Sequence, residues 1–236
     1  MSRLMSKKEL DAFDFPKKFK DLPNSLNYYI PEPEVVLHDQ IITINNFFKP
    51  DLCQDLIKSF ETKLKMETTP LIKSKTYAAR YNDRALVTDL NSADTLWKYM
   101  KQILISNPYD DPQQQQVVDI FKSAIGLNPQ LRIYRYTQGH HFGAHYDDSV
   151  TCQVPPEGKS TGKTQWTLLI YLTGGDDFKG GGTIFYADDG IEALNIHPNK
   201  GMALLHKHGD ACLRHEAELV KKGAKWVLRS DVVFPK

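Results

Sequence analysis

Beyond Gly126 the chain breaks into short runs of alternating apolar and polar residues, most of them closed by glycine or proline. This pattern constrains the fold more than any other feature of the 236 residues. It predicts strands over 131–137, 142–147, 166–172, 183–186, 193–197, 202–206, 212–219 and 224–234. Short strands this closely spaced point to a barrel or a double-sheet jelly roll.

The sequence before Gly126 has a different texture. Residues 35–47 alternate as one or two strands, and Pro50-Asp51 opens a helix with Leu52, Leu56, Phe60 and Leu64 four apart. A second helix, capped near Ser92, buries Leu96, Trp97, Met100, Ile103 and Leu104. A loop rich in Pro, Asp and Gln (107–116) leads into a short helix over 117–125. The expected class is α+β with a mainly β core, backed by N-terminal helices. Residues 1–34 read as a tethered tail in preference to a segment laid against the body, the alternative that Phe13, Phe15, Phe19, Tyr28 and Tyr29 suggest. Residues 35–236 read as one domain, a helical buttress over 35–126 and a barrel core over 127–236.

Thirty Lys and Arg against 29 Asp and Glu leave a net charge of +1. That balance argues against a partner gripped through overall charge, whether nucleic acid or anionic membrane. No apolar run is long enough to span a bilayer, and the N-terminus has no apolar leader. Three scattered cysteines give no disulfide framework, and without a CxxC pair no thiolate zinc site is expected; Cys152 and Cys212 read as small apolar fillers. The expected location is the reducing cytoplasm or nucleus.

Eight histidines are present. His145 stands out because Asp147 follows two residues later in a strand-like segment, where i and i+2 share a face. An imidazole and a carboxylate so placed become informative with a second histidine from a later strand. Two histidines and one carboxylate form the open-sided donor set of non-haem Fe(II) oxygenases. His206, His208 and His215 compete for the third place. A 2-oxo acid cosubstrate needs a cation for its distal carboxylate, and Lys225 lies ten residues past His215, whereas the same step from His206 and His208 meets Glu216 and Glu218. The spacing therefore favours His215.

The run YTQGHHFGAHYD (136–147) resembles the Y-x-x-G-x-x-F/Y-x-x-H-x-D segment of prolyl 4-hydroxylase-type 2-oxoglutarate/Fe(II) dioxygenases. TLLIYL (167–172), GGGTIF (180–185), PNKGMALL (198–205), HEA (215–217) and GAKW (223–226) resemble later segments of that family, in order. ITINNFFKPDLCQDLI (42–57) resembles the strand and helix before its core. The resemblance implies a double-stranded β-helix (jelly roll, cupin-like). It also implies His145, Asp147 and His215 as Fe(II) ligands and Lys225 as the partner of the 2-oxoglutarate C5 carboxylate. Tyr136 and Tyr171 follow as phenol donors to the cosubstrate, with Arg229 as the alternative carboxylate anchor. The implied reaction consumes 2-oxoglutarate and O2, releases succinate and CO2, and hydroxylates a C–H bond; ascorbate is the expected reductant. No nucleophile is assigned. The expected substrate is a prolyl or other amino-acid residue of a protein or peptide, with a small molecule as the alternative. The competing class is a non-catalytic cupin-like metal- or ligand-binding module. Arg80, Asn82 and Arg84 alternate in a segment that could contact substrate, and 154–165 reads as a lid or a surface loop.

Overall fold

The computed structural model describes residues 13–26, 29–71, 78–106, 110–154, 160–187 and 190–236. Two antiparallel sheets dominate it. The larger has ten strands, and its central run is Ile41–Ile44, Ala203–Lys207, Ser160–Tyr171, Lys225–Pro235, Gln130–Tyr136 and Asp83–Thr88. The smaller orders Glu192–Ile196, Thr183–Tyr186, His215–Ala217, His141–His145 and Arg80–Tyr81. Neighbours in space are mostly distant in sequence, as a jelly roll requires.

Strand alternation sends the two faces of the large sheet to different places. Trp166, Leu168 and Ile170, with Trp226, Leu228 and Val232, enter one apolar core with the helices Pro50–Lys63, Leu90–Leu104 and Pro112–Phe121. Their intervening neighbours Tyr171 and Val227 join Tyr134, Tyr136 and Leu204 in a second cluster, where Phe185 arrives from the small sheet. That second cluster is the barrel interior and carries the site.

Several expectations change. Residues 13–26 do not behave as a tail. Phe15, Phe19 and Leu22 are buried in the helical core, and Phe15 stacks on Phe19 at 4.4 Å while meeting Phe60 edge-on at 6.2 Å. Aromatic side chains of this size gain more from burial than a mobile segment would retain. The segment 154–165 is largely strand: Ser160–Tyr171 pairs back on Thr151–Val154, and only 155–159 fall outside the described residues. Gly162 marks the reason, because a Cβ there would come within 2.3 Å of the Phe234 carbonyl oxygen. Glycine lets the strand press against its neighbour. Two caps also move. Asp89, rather than Ser92, caps Leu90–Leu104 by accepting from the N–H groups of Asn91 and Ser92. Asp111 caps Pro112–Phe121, so this helix starts before 117.

Candidate metal centre and cosubstrate pocket

His145 and His215 stand directly opposite one another on neighbouring antiparallel strands of the small sheet. Their rings lie 4.3 Å apart, and His145 stacks on Phe142 at 3.7 Å. Each Nδ1 lies 2.9 Å from the carbonyl oxygen two residues upstream, Gly143 for His145 and Leu213 for His215. A carbonyl only accepts, so each Nδ1 carries a proton; Nε2 of His145 keeps its lone pair, and Nε2 of His215 offers one once its second proton is lost. Both Nε2 atoms face Asp147, with Nε2 of His145 3.7 Å from Oδ1 and Nε2 of His215 3.6 Å from Oδ2.

Asp147 lies just past the end of its strand, where the Gly209 N–H holds its carbonyl at 2.8 Å. Its buried carboxylate accepts from Thr167 Oγ1 at 2.9 Å and faces the Arg229 guanidinium at 3.0 and 3.1 Å. Burial alone would raise its pKa, but the Arg229 charge and the neighbouring imidazoles hold it well below the carboxylate range. Burial and the adjacent His215 push His145 down to about 4. For His215 burial works downward too, but the bond to Asp147 outweighs it and lifts the group to about 9. An entering cation therefore displaces a proton from His215.

The ligand atoms of His145, Asp147 and His215 all lie within 4.8 Å of one another. Two imidazole nitrogens and one carboxylate oxygen suit Fe(II), and donors gathered on one side leave the opposite positions free. The backbone carbonyls behind both imidazoles fix ring orientation and tautomer, as metal-ligating histidines require. The donors present fit the iron that such a site would hold.

Beside this cluster a narrow cavity of about 40 Å3 opens between the sheets. Lys225 and Tyr136 are register partners at its inner end, and Tyr171 pairs with Val227 next to them. Lys225 is 2% exposed. Its Nζ donates to the Gly181 carbonyl at 2.6 Å and lies 5.6 and 5.3 Å from the ring centres of Tyr136 and Tyr171. No carboxylate among the described residues pairs with it, and burial lowers its pKa to about 7. The Tyr171 hydroxyl shares a hydrogen bond with Thr183 Oγ1 at 2.7 Å, and burial raises both phenols above their ordinary range. Arg229 also lines the cavity, but it is committed to Asp147 and Asp231. Lys225 is thus the cation with charge to spare.

Arg80, Asn82 and Arg84 do not act as a row. Arg80 reaches the cavity, with its guanidinium 4.7 and 4.6 Å from the ring centres of Tyr134 and Phe142 and Nε donating to Asn82 Oδ1 at 3.0 Å. Asn82 is fully buried, and Arg84 lines a groove beside Lys65 and Arg132 instead. The chain passes from the small sheet to the large one between Tyr81 and Asp83, so the period of two breaks at Asn82.

Three further neighbours of Asp147, namely Thr167, His206 and Cys212, were not assigned to the site from sequence. Thr167 bridges Asp147 to His208 Nδ1, each at 2.9 Å, and Thr164 Oγ1 lies 2.9 Å from His208 Nε2. His206 approaches Asp147 Oδ2 at 3.6 Å, and the Asp147 N–H donates to Cys212 Sγ at 3.3 Å. Cys212 is therefore more than an apolar filler. The i, i+2 spacing of His206 and His208 was the available signal, since it puts both on one strand face.

Residues 131–230 match the family model of the 2OG-Fe(II) oxygenase superfamily. No curated protein sequence matches this chain. Among solved structures it is similar to a viral collagen prolyl hydroxylase from Paramecium Bursaria Chlorella virus-1 (17% identity, TM-score 0.54, 83% of this chain and 96% of that one). It is also similar to a Pseudomonas putida prolyl-4-hydroxylase (13%, TM-score 0.54, 92% and 100%). A third is a Trichoplax adhaerens prolyl hydroxylase in complex with a hypoxia inducible factor peptide fragment (15%, TM-score 0.53, 92% and 91%). At these identities the structures speak to fold, while the family model covers every proposed metal and cosubstrate residue. Residues 131–230 thus match the 2OG-Fe(II) oxygenase superfamily, and the fold around them is of the prolyl 4-hydroxylase type, which together support a 2-oxoglutarate/Fe(II)-dependent dioxygenase.

Proposed function

We propose that this protein hydroxylates a C–H bond of a prolyl or other amino-acid residue in a peptide or protein, using 2-oxoglutarate and O2 and releasing succinate and CO2. The observation that carries the reading is a division of labour between the sheets. The small sheet and the chain just beyond it supply a donor set of two imidazoles and one carboxylate. The large sheet supplies a buried lysine without a carboxylate partner, inside the same cavity.

His145, Asp147 and His215 would hold Fe(II). When bound, the iron with 2-oxoglutarate and O2 supplies the oxidising power that inserts one oxygen atom into the substrate. The remaining work falls to the chain. Lys225 binds the distal carboxylate of the cosubstrate, whose charge replaces the counter-ion this lysine lacks. Tyr136 and Tyr171 flank Lys225 and stay protonated, since burial raises both phenols, so they can donate to the dicarboxylate. Arg229 and Thr167 hold the Asp147 carboxylate in one orientation. Phe142 and Phe185 flank the imidazoles and limit water at the reacting end. Arg80, anchored on two rings at the cavity wall, is the group placed to meet an incoming peptide. The fold neighbour seen with a peptide supports a polypeptide substrate over a small molecule. Ascorbate would restore Fe(II) after uncoupled turnover, and a reducing cytoplasm or nucleus suits such a site.

The test has two stages. Anaerobic addition of Fe(II) and 2-oxoglutarate should raise the visible charge-transfer band of the chelate, and air should then release succinate. Proline-containing peptides incubated with the enzyme should gain the mass of one oxygen. No band and no succinate with any substrate class would favour the non-catalytic module. Succinate with no modified peptide would redirect the search to small molecules.

A further inference from the structure

His215 belongs to a second donor set. The ligand atoms of His206, Cys212 and His215 also lie within 4.8 Å of one another. His206 sits on the large-sheet strand Ala203–Lys207, faces the barrel interior and is 2% exposed. Its Nδ1 lies 3.3 Å from the Lys207 carbonyl oxygen, so Nε2 is the nitrogen with a free lone pair. That Nε2 is buried without a hydrogen-bond partner among the described residues. Such a group is unfavourable when left unpaired, and a cation would relieve it. Asp147 Oδ2 lies 3.6 Å from Nε2 of both His206 and His215. Cys212 Sγ accepts the Asp147 N–H and sits 3.9 Å from His215 Nδ1.

We propose that His206, Cys212 and His215, with Asp147 as fourth donor, form a closed site for a thiophilic divalent cation of the zinc class, and that its occupancy withdraws His215 and Asp147 from the iron triad. Zn–N distances near 2.0–2.1 Å and Zn–S near 2.3 Å imply tetrahedral edges of about 3.3–3.6 Å. The carboxylate–imidazole spacings already match, whereas Cys212 Sγ, now donating to the Leu213 carbonyl and nearest His215 Nδ1, must turn toward the Nε2 side to join them. The donors differ from the iron set in kind. A thiolate favours zinc over Fe(II), and zinc stands above iron in general affinity for such sites. Binding sends the Cys212 proton and the second His215 proton to solvent and leaves four protein donors around the cation, with no position for a chelating cosubstrate. The zinc site stands without the dioxygenase reading; the inhibition it causes rests on that reading.

The experiment uses the full chain, freed of metal and kept anaerobic, with Co(II) as the visible probe and Zn(II) as competitor. Wild type should bind one equivalent of Co(II) with a near-ultraviolet thiolate-to-metal band and intense tetrahedral visible bands, both erased by Zn(II). His145→Ala should retain these bands. Cys212→Ser and Cys212→Ala should lose the thiolate band, and their Zn(II) affinity should fall by at least ~10-fold. His206→Phe should lose the tetrahedral intensity. Zinc should raise the melting temperature of wild type more than that of either Cys212 variant, a readout that also shows which variants are folded. Zinc should suppress the Fe(II)–2-oxoglutarate band in wild type, and Cys212→Ser should need at least ~10-fold more zinc for the same effect. The proposal is overturned if wild type shows no thiolate band, if the band survives both Cys212 variants, or if His145→Ala abolishes it. A thiolate band in a protein that never forms the Fe(II)–2-oxoglutarate chromophore would sink the dioxygenase reading and leave the zinc site standing.

Discussion

The two faces of the large sheet share the same strands but do opposite work. On Lys225–Pro235 the outward residues Trp226, Leu228 and Val232 meet the helices, whereas Lys225, Val227 and Arg229 face the cavity. On Ser160–Tyr171, Trp166, Leu168 and Ile170 face out, whereas Leu169 and Tyr171 line the cavity and Thr167 meets Asp147. The outward face contributes roughly 1.5–3 kcal/mol for each fully buried large apolar side chain. The inward face buries charges and hydroxyls, which cost free energy unless each is paired. Stability is concentrated outside the barrel and chemistry inside it, separated by one peptide plane. Substitutions on the two faces should therefore fail in different ways.

The largest effect belongs to the cavity. His145→Ala should reduce succinate formation to background and abolish the Fe(II)–2-oxoglutarate band, with the melting transition nearly unchanged. Its ring is held by one carbonyl, one stacked phenyl and the tilted His215 ring, all within the small sheet. A protein that keeps turning over after this change does not use this triad. On the outward face, Leu168→Ala should destabilise by about 2–5 kcal/mol, because the side chain is fully buried among helix residues that cannot collapse into its place. Urea unfolding would measure it. The folded fraction should retain its 2-oxoglutarate dependence, and a large change in cosubstrate affinity would show that the two faces are coupled.

How much of this was legible in sequence follows the same divide. The outward face reads easily, since Leu, Ile and Trp at every second position announce a buried face without reference to distant residues. The gathering of His145, Asp147 and His215 could also be anticipated, because His145-x-Asp147 is local and the spacing to Lys225 favours His215 among the later histidines. What sequence did not carry were contacts closed by the fold across long separations. Thr167 meets Asp147 from the other sheet, and Cys212 meets it through a backbone N–H rather than a side chain. Arg229 reads as a spare cation until Asp147 and Asp231 are seen on either side of it. Phe15 and Phe19 were visible, yet nothing local revealed the helical surface that receives them. Arg84 was misplaced because alternation was extended across a change of sheet.

The cavity prediction next in size concerns Lys225. Lys225→Met keeps the length of the side chain and removes its charge. The concentration of 2-oxoglutarate required should rise by about 30-fold or more, the usual consequence of removing one partner of a buried charge pair. The melting temperature should hold or rise, since among the described residues no carboxylate ion-pairs with the buried lysine and the pull of Glu218 only partly offsets its burial. A fall in stability with an unchanged cosubstrate requirement would make Lys225 a structural residue and return the anchor to Arg229.

The smallest effect is also the most discriminating, because two observables must move in opposite directions with pH. Burial lowers Lys225 from 10.5 to about 7 in the ligand-free fold. Between these values the unfolded chain binds more protons than the native one, so this group makes ligand-free stability rise with pH. The gain begins near pH 7 and is complete once the unfolded lysine has also lost its proton. Cosubstrate binding runs the other way, because the dicarboxylate requires the ammonium form. Above pH 7 each complex must take up a proton, and affinity for 2-oxoglutarate should fall by up to about tenfold per pH unit. Lys225→Arg keeps its charge throughout and should flatten the affinity profile, whereas Lys225→Met should remove this residue's contribution to both. Calorimetric titration in two buffers of different ionisation enthalpy would count the proton directly. If affinity stays level from pH 7 to pH 9 in wild type, the cavity holds its cosubstrate through a permanently charged group. The functional distinction between Lys225 and Arg229 on that inward face would then have to be reversed.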